Sequence, residues 1–121
     1  MYKLIAIDMD GTLLKNDKSV SDRTKKAIKE AQEKGVNVVI ATGRPIDGVT
    51  RYLEELDMLG ENDYVLSYNG GLVLKAKSRE VISKTVLSGS DLHYLHKLSK
   101  DLGVNIHAFS EVHGLITPKN S

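Results

Sequence analysis

Apolar residues along the first half of the chain alternate between short unbroken runs and stripes of helical period. Leu4-Ile5-Ala6-Ile7 is an unbroken run that ends in Asp8, the pattern of a strand covered on both faces. Ser21 can cap a helix running to about Lys34, with Ala27, Ile28 and Ala31 on its inner side and Gly35 just past its end. Val36 to Ala41 is rich in branched residues and reads as the next strand. Pro45 can open a second helix, because the first turn has no use for the missing N–H. Ile46, Val49, Leu53 and Leu56 supply its stripe, and Asp63 to Ser67 reads as a third strand. Strand, helix, strand, helix, strand with right-handed crossovers predicts an α/β fold: a parallel sheet with helices on both faces. Ligands of such sheets sit beyond the carboxyl ends of the strands.

From Leu72 the rhythm changes. Leu72 to Leu74 and Val81 to Val86, separated by Lys75 to Glu80, predict a hairpin. Leu92, Leu95, Leu98 and Leu102 predict a helix with a leucine core face, capped by Ser90 and stopped by Gly103. Val104, Ile106 and Ala108 alternate with polar residues as in a strand with one wet face, and Leu115-Ile116-Thr117 can pair with it. A boundary between Thr85 and Gly89 divides an α/β part from an α+β part that reads as unfinished.

Composition narrows the function. With 17 basic and 16 acidic residues the formal charge is +1, which argues against a nucleic-acid or membrane-surface partner. Tryptophan is absent, so base stacking has few platforms. There are no cysteines, which removes disulfides, thiolate metal sites and a cysteine nucleophile. The run at Leu4 is too short for a membrane or secretory segment. A soluble protein of the cytoplasm is expected.

Two polar clusters carry the chemistry. Asp8-Met9-Asp10-Gly11-Thr12 follows the first strand. Two carboxylates at i and i+2 flank a chain about to turn, and Gly11 permits the turn. Such a pair can bind a hard cation such as Mg²⁺ through oxygen, and one member can act as a nucleophile. A lone Asp-Gly would more simply be a turn bonded to its own backbone. Here, however, Thr42-Gly43-Arg44 ends the second strand at the same edge of the sheet. A hydroxyl, a glycine N–H and a guanidinium are phosphate-binding groups. Alone, that cluster is a helix entry capped by Thr42; with the first cluster it points to a phosphate site.

These residues resemble the haloacid dehalogenase (HAD) superfamily, whose first motif is D-x-D-G-T after the first strand. Within it the sequence is most similar to the Cof-type branch of sugar-phosphate phosphatases. Thr42-Gly43-Arg44 matches that branch's T-G-R, and Tyr68-Asn69-Gly70-Gly71 its N-G segment after the third strand. The resemblance implies a Rossmann-like HAD core over residues 1–86 and the beginning of an α+β cap over 87–121. It implies that Asp8 attacks phosphorus to form an aspartyl phosphate. Asp10 would protonate the leaving alcohol and then activate water. Mg²⁺ would be held by the Asp8 carboxylate and the Asp10 carbonyl, and Thr42 would bond the transferring phosphoryl group. Met9, Gly43, Arg44 and Asn69 join the phosphate- and substrate-binding set, with Asn69 either facing the substrate or shaping the turn. The implied partner is a small phosphorylated metabolite.

The family also carries, beyond the cap, a lysine that pairs with the nucleophile and an acidic G-D-x-x-x-D motif. Lys84, Lys97 and Lys100 come too early for the first, and no Gly-Asp pair occurs. The expectation is therefore a truncated chain with weak or no activity alone. Its alternatives are a non-catalytic binding or partner-completed module, and a phosphohexomutase-like phosphotransferase. In the family the first strand is central in its sheet; here one side of Leu4 to Ile7 would be open, which predicts self-association through that edge. His93, His96, His107 and His113 could suggest zinc, but no carboxylate or cysteine completes a known spacing. The expected place of His93 and His96 is the solvent side of the last helix or the cap surface.

Overall fold

The computed structural model describes residues 1–110 and 114–116. The chain forms two compact units, Met1–Thr85 and Val86–Ser121. In the first, β1 (Leu4–Ile7), β2 (Asn37–Ala41) and β3 (Tyr64–Ser67) pair in parallel in that order. The hairpin β4 (Leu72–Lys75) and β5 (Val81–Lys84) adds two antiparallel strands beside β3. The result is a mixed five-stranded sheet with helices packed on it, the expected α/β class.

Helix α1 (Asp22–Glu33) is capped as its sequence predicts, with Ser21 Oγ accepting the Thr24 N–H at 3.1 Å. Gly35 follows at φ 80°, a left-handed position that glycine takes without strain. The two crossovers place α1 and the second helix against one core. Ile28, Leu53 and Leu56 join Val38, Ile40, Val65 and Leu74 in a single apolar cluster. Ile40 and Val65 are fully buried there, and burying a side chain of this kind contributes about 1.5–3 kcal/mol. Ala27, expected on the inner side, is exposed.

The helix expected from Pro45 is split. A 3₁₀ turn spans Ile46–Gly48, and α2 begins only at Thr50, ending at Glu55. Arg44 Nη1 donates to the Gly48 carbonyl at 3.3 Å, and the Tyr52 N–H bonds Val49 instead. A carbonyl drawn to a side chain and a fully buried Val49 at φ −114° interrupt the α-helical ladder. The apolar run of β1 predicted cover on both faces, yet Leu4, Ile5 and Ala6 are exposed. β1 is the edge strand, and only Ile7 packs against the core.

The second unit holds α3 (Gly89–Leu102) and the antiparallel pair β6 (Ala108–Ser110) and β7 (Gly114–Ile116). Ser88, not Ser90, caps α3. Ser88 Oγ accepts the Asp91 N–H at 3.1 Å while Asp91 Oδ2 accepts the Ser88 N–H at 3.3 Å. That reciprocal capping box is open only to a serine three positions before the acid. Val104 does not start a strand. Its N–H returns to the Ser99 carbonyl at 3.0 Å, closing the end of α3 behind Gly103 at φ 66°. Leu98 and Leu102, expected in a core face, are exposed. Thr117 and His113 lie outside the described residues.

Candidate functional site

The site is built from the three loops that leave the carboxyl ends of β1, β2 and β3. Ile7 pairs with Ile40, so Asp8 leaves the sheet beside Ala41, the last residue of β2. Past Asp8 the chain makes a wide turn over Met9–Leu13, closed by bonds from the Leu13 N–H to the Asp8 carbonyl (3.1 Å) and from the Leu14 N–H to the Met9 carbonyl (3.0 Å). Gly11 sits at φ 79°, so the turn requires the residue that tolerates that region. Met9 is completely buried and faces the core; it reaches the site through its backbone alone. This burial anchors the turn and leaves Asp8 and Asp10, on either side, exposed.

The second and third loops are stitched together by backbone bonds. The Asn69 N–H donates to the Thr42 carbonyl at 2.9 Å and the Tyr68 N–H to the Arg44 carbonyl at 3.2 Å. Tyr68, Asn69 and Gly70 all have positive φ (50°, 57° and 86°), a run that asparagine and glycine tolerate better than other residues. Asn69 thus shapes the turn, and it also abuts the second loop. A Cβ on Gly43 would lie 2.9 Å from Asn69 Oδ1. Gly43→Ala is therefore expected to push the Asn69 side chain aside and loosen this junction. Faster amide exchange at residues 68–71, with the rest of the sheet unchanged, would show it; protection equal to the native chain would mean the loops are not coupled there. Thr42 is buried, and its Oγ1 accepts the Arg44 N–H at 3.1 Å. It caps this short turn rather than a helix.

Arg44 and Asp10 meet directly. Arg44 Nε donates to Asp10 Oδ2 and Nη2 to Oδ1, each at 2.8 Å, the bidentate fork that fixes both partners. Lys18 Nζ adds a third bond to Asp10 Oδ1 at 2.9 Å. The Arg44 guanidinium first, and the Lys18 ammonium second, hold the Asp10 carboxyl well below the usual carboxylate range, and Asp10 raises Arg44 in turn. Among the described residues the Asp8 side chain has no hydrogen bond and no ion pair. Of the sequence-predicted set, the structure brings Asp10 onto Arg44, and Thr42, Gly43 and Asn69 into one junction.

Lys18 was not legible as a site residue. It lies in a polar loop where a lysine is unremarked, and only the folded chain returns it to Asp10. Tyr52 was equally hidden, one position off the apolar stripe of the second helix. Its hydroxyl donates to the Lys18 carbonyl at 2.6 Å.

The donor chemistry suits a hard divalent cation. Asp8 presents an exposed carboxylate with no cation on it among the described residues, one residue removed from Asp10, and Mg²⁺ takes oxygen ligands of this kind. Among the described residues no group of three or more His, Asp or Glu side chains converges. The residues thus fit Mg²⁺ in type, as oxygen donors. His93, His96 and His107 line an apolar groove in the second unit with Leu92, Ile106, Ala108 and Ile116.

The family model for haloacid dehalogenase-like hydrolases matches residues 5–121. The chain belongs to this family. YxeH of Bacillus subtilis (strain 168), whose name gives phosphatase as a provisional assignment, is 48% identical over 118 residues, covering 98% of this chain and 43% of that protein. The crystal structure of a haloacid dehalogenase-like hydrolase from Bacteroides thetaiotaomicron superposes with a TM-score of 0.80 at 32% identity, covering 100% of this chain and 45% of the other. The HAD subclass IIB sugar phosphatase BT4131 superposes with a TM-score of 0.74 at 28% identity, covering 93% and 42%. These likenesses support the Cof-type branch of the family for this chain. It spans less than half the length of each of these relatives. No helix among its described residues is long and apolar enough to cross a membrane.

Proposed function

We propose that the chain carries the nucleophile loop of a Mg²⁺-dependent phosphatase acting on small phosphomonoesters, sugar phosphates foremost, through an aspartyl phosphate. The observation that carries the reading is the pairing at the sheet edge of an unengaged carboxylate, Asp8, with a second one, Asp10, held in place by two cations. Phosphoryl transfer depends chiefly on positioning and on neutralising charge, and the two cations held beside Asp10 support this reading.

An Asp8 carboxylate oxygen attacks phosphorus, and the bond from phosphorus to the ester oxygen breaks. The leaving oxygen takes a proton from Asp10. In the second step Asp10 removes a proton from water, water oxygen bonds phosphorus, and the bond to Asp8 breaks to release phosphate. In the arrangement seen, Arg44 and Lys18 keep Asp10 ionised, which suits the second step. The first step calls for these cations to shift their charge to the incoming phosphate, leaving Asp10 free to bear a proton. Thr42 and the Gly43 N–H orient the phosphoryl oxygens. Mg²⁺, held by the Asp8 carboxylate and the Asp10 carbonyl, would offset the repulsion between Asp8 and the phosphate.

Hydrolysis of p-nitrophenyl phosphate by the purified chain tests the reading. Turnover is expected to require Mg²⁺, to stop with EDTA, and to fall below the enzyme range of roughly 1–10³ s⁻¹, because the described residues hold only part of a metal site. Turnover indifferent to EDTA would sink the metal assignment. Phosphate release no faster than from an Asp8→Asn control would favour a second reading, a fragment that binds phosphate without catalysing its transfer.

A further inference from the structure

The groups that restrain Asp10 are themselves restrained, and both restraints lead to one residue. Lys18 has φ 65°, a left-handed conformation uncommon for a lysine and one that persists only where its surroundings enforce it. The loop around it is closed by the Lys18 N–H on the Lys15 carbonyl (2.9 Å) and the Lys15 N–H on the Ser19 carbonyl (2.8 Å). Its free carbonyl receives the Tyr52 hydroxyl at 2.6 Å.

Tyr52 is among the largest fully buried side chains of the described residues, 2% exposed, and belongs to the same core cluster as Val49, Leu53 and Leu56. Its hydroxyl also accepts Arg51 Nη2 at 2.7 Å. A hydroxyl that accepts from a guanidinium must aim its own hydrogen elsewhere, and the Lys18 carbonyl is where it goes; bonds in such a chain strengthen one another. The same ring backs the other cation: the Arg44 guanidinium carbon lies 5.7 Å from its centroid, within cation–π range. A rigid, buried ring therefore touches both arms of the clamp on Asp10.

We propose that Tyr52 is a positioning residue of the site. Its hydroxyl fixes the Lys18 loop, its ring supports Arg44, and through these two cations it sets where the Asp10 carboxylate rests. This rests on the phosphatase reading for its effect on rate, but the geometry can be tested separately.

Reductive methylation of lysines, followed by peptide mass spectrometry, reads the clamp without any catalysis. Lys29, which makes no ion pair among the described residues, is the internal reference. In the native chain Lys18 should react several-fold more slowly than Lys29. Tyr52→Phe keeps the ring and removes only the hydroxyl, and should bring Lys18 towards the rate of Lys29, as Asp10→Asn should. On the same samples, kcat for p-nitrophenyl phosphate should fall about 10-fold or more in Tyr52→Phe, towards the roughly 10²-fold that a displacement of about 1 Å can cost. KM should move much less than kcat.

Lys18→Met, which leaves the core untouched, should reproduce that loss if Tyr52→Phe melts too early to assay, and Lys18→Arg should restore part of it. Adding Tyr52→Phe to Lys18→Met should cost little more, since both cut one arm. Lys18 labelling as fast as Lys29 in the native chain, or a folded Tyr52→Phe chain with native labelling and native kcat, overturns the proposal. Protection of Lys18 that is lost in Tyr52→Phe, in a chain without any hydrolysis, upholds the positioning role and overturns only the phosphatase reading.

Discussion

Asp8→Asn is expected to reduce phosphatase turnover to background while leaving the fold intact. The side chain is exposed and has no partner among the described residues, so its replacement breaks no bond seen in the structure. What it removes is the attacking oxygen, since an amide is a poor nucleophile and a poor ligand for a hard cation. Loss of the nucleophile of a hydrolase can lower kcat by a factor on the order of 10⁶. Asp10→Asn should behave differently. Loss of acid–base help is worth about 10²–10⁴-fold, but Arg44 and Lys18 would also be released from a carboxylate that now occupies them. Binding of inorganic phosphate should therefore be kept or tightened in Asp10→Asn. Steady-state assays and phosphate titration of the two variants separate the roles. Native-like turnover by Asp8→Asn, or loss of phosphate affinity in Asp10→Asn, would show that the two carboxylates have been misassigned.

The parts of this site that could be read from sequence are those fixed by local chain geometry. Asp8, Thr42 and Gly43 lie within two residues of a strand end and Asp10 within three, so a periodic apolar pattern is enough to bring them to one edge of a parallel sheet. Ser21 and Gly35 bracket α1 for equally local reasons. Interactions across the chain were not legible. The Arg44–Asp10 fork joins residues 34 apart in sequence, and the Tyr52–Lys18 bond does the same. Spacing carries no record of either. The splitting of the second helix is a local matter, since the Arg44 side chain, four residues before Gly48, takes the Gly48 carbonyl, and residue type does not announce that choice. The cap of α3 is a subtler case. Ser88 and Ser90 are both acceptable caps by type, and only the reciprocal bond with Asp91 decides between them. The exposure of Leu98 and Leu102 was hidden because a leucine stripe announces that a face can be buried, not that a partner is present to bury it.

The same reasoning applies with larger consequences to β1. Its apolar sequence is that of a strand packed on both sides, but it lies at the end of the sheet order and pairs only with β2 among the described strands. Leu4 is 56% exposed and Ile5 40% exposed. An edge of this kind presents unpaired backbone groups and apolar side chains together, without the bulge, proline or inward charge that usually blunts it. Pairing with a second strand would satisfy those groups and cover those side chains at once. At micromolar concentration the chain is therefore expected to self-associate through Tyr2 to Ile7, and sedimentation velocity should show species larger than one chain. Leu4 lies on the sheet face away from the core cluster, so Leu4→Lys can place a charge at the edge without disturbing Ile7 or Ile40. That variant should shift the distribution towards single chains and keep the melting transition of the native protein. In the native chain the outward amides of Leu4 to Ile7 should exchange quickly when dilute and gain protection as concentration rises. A single-chain species at every concentration, with those amides already protected, would mean that β1 has a partner strand from within its own chain.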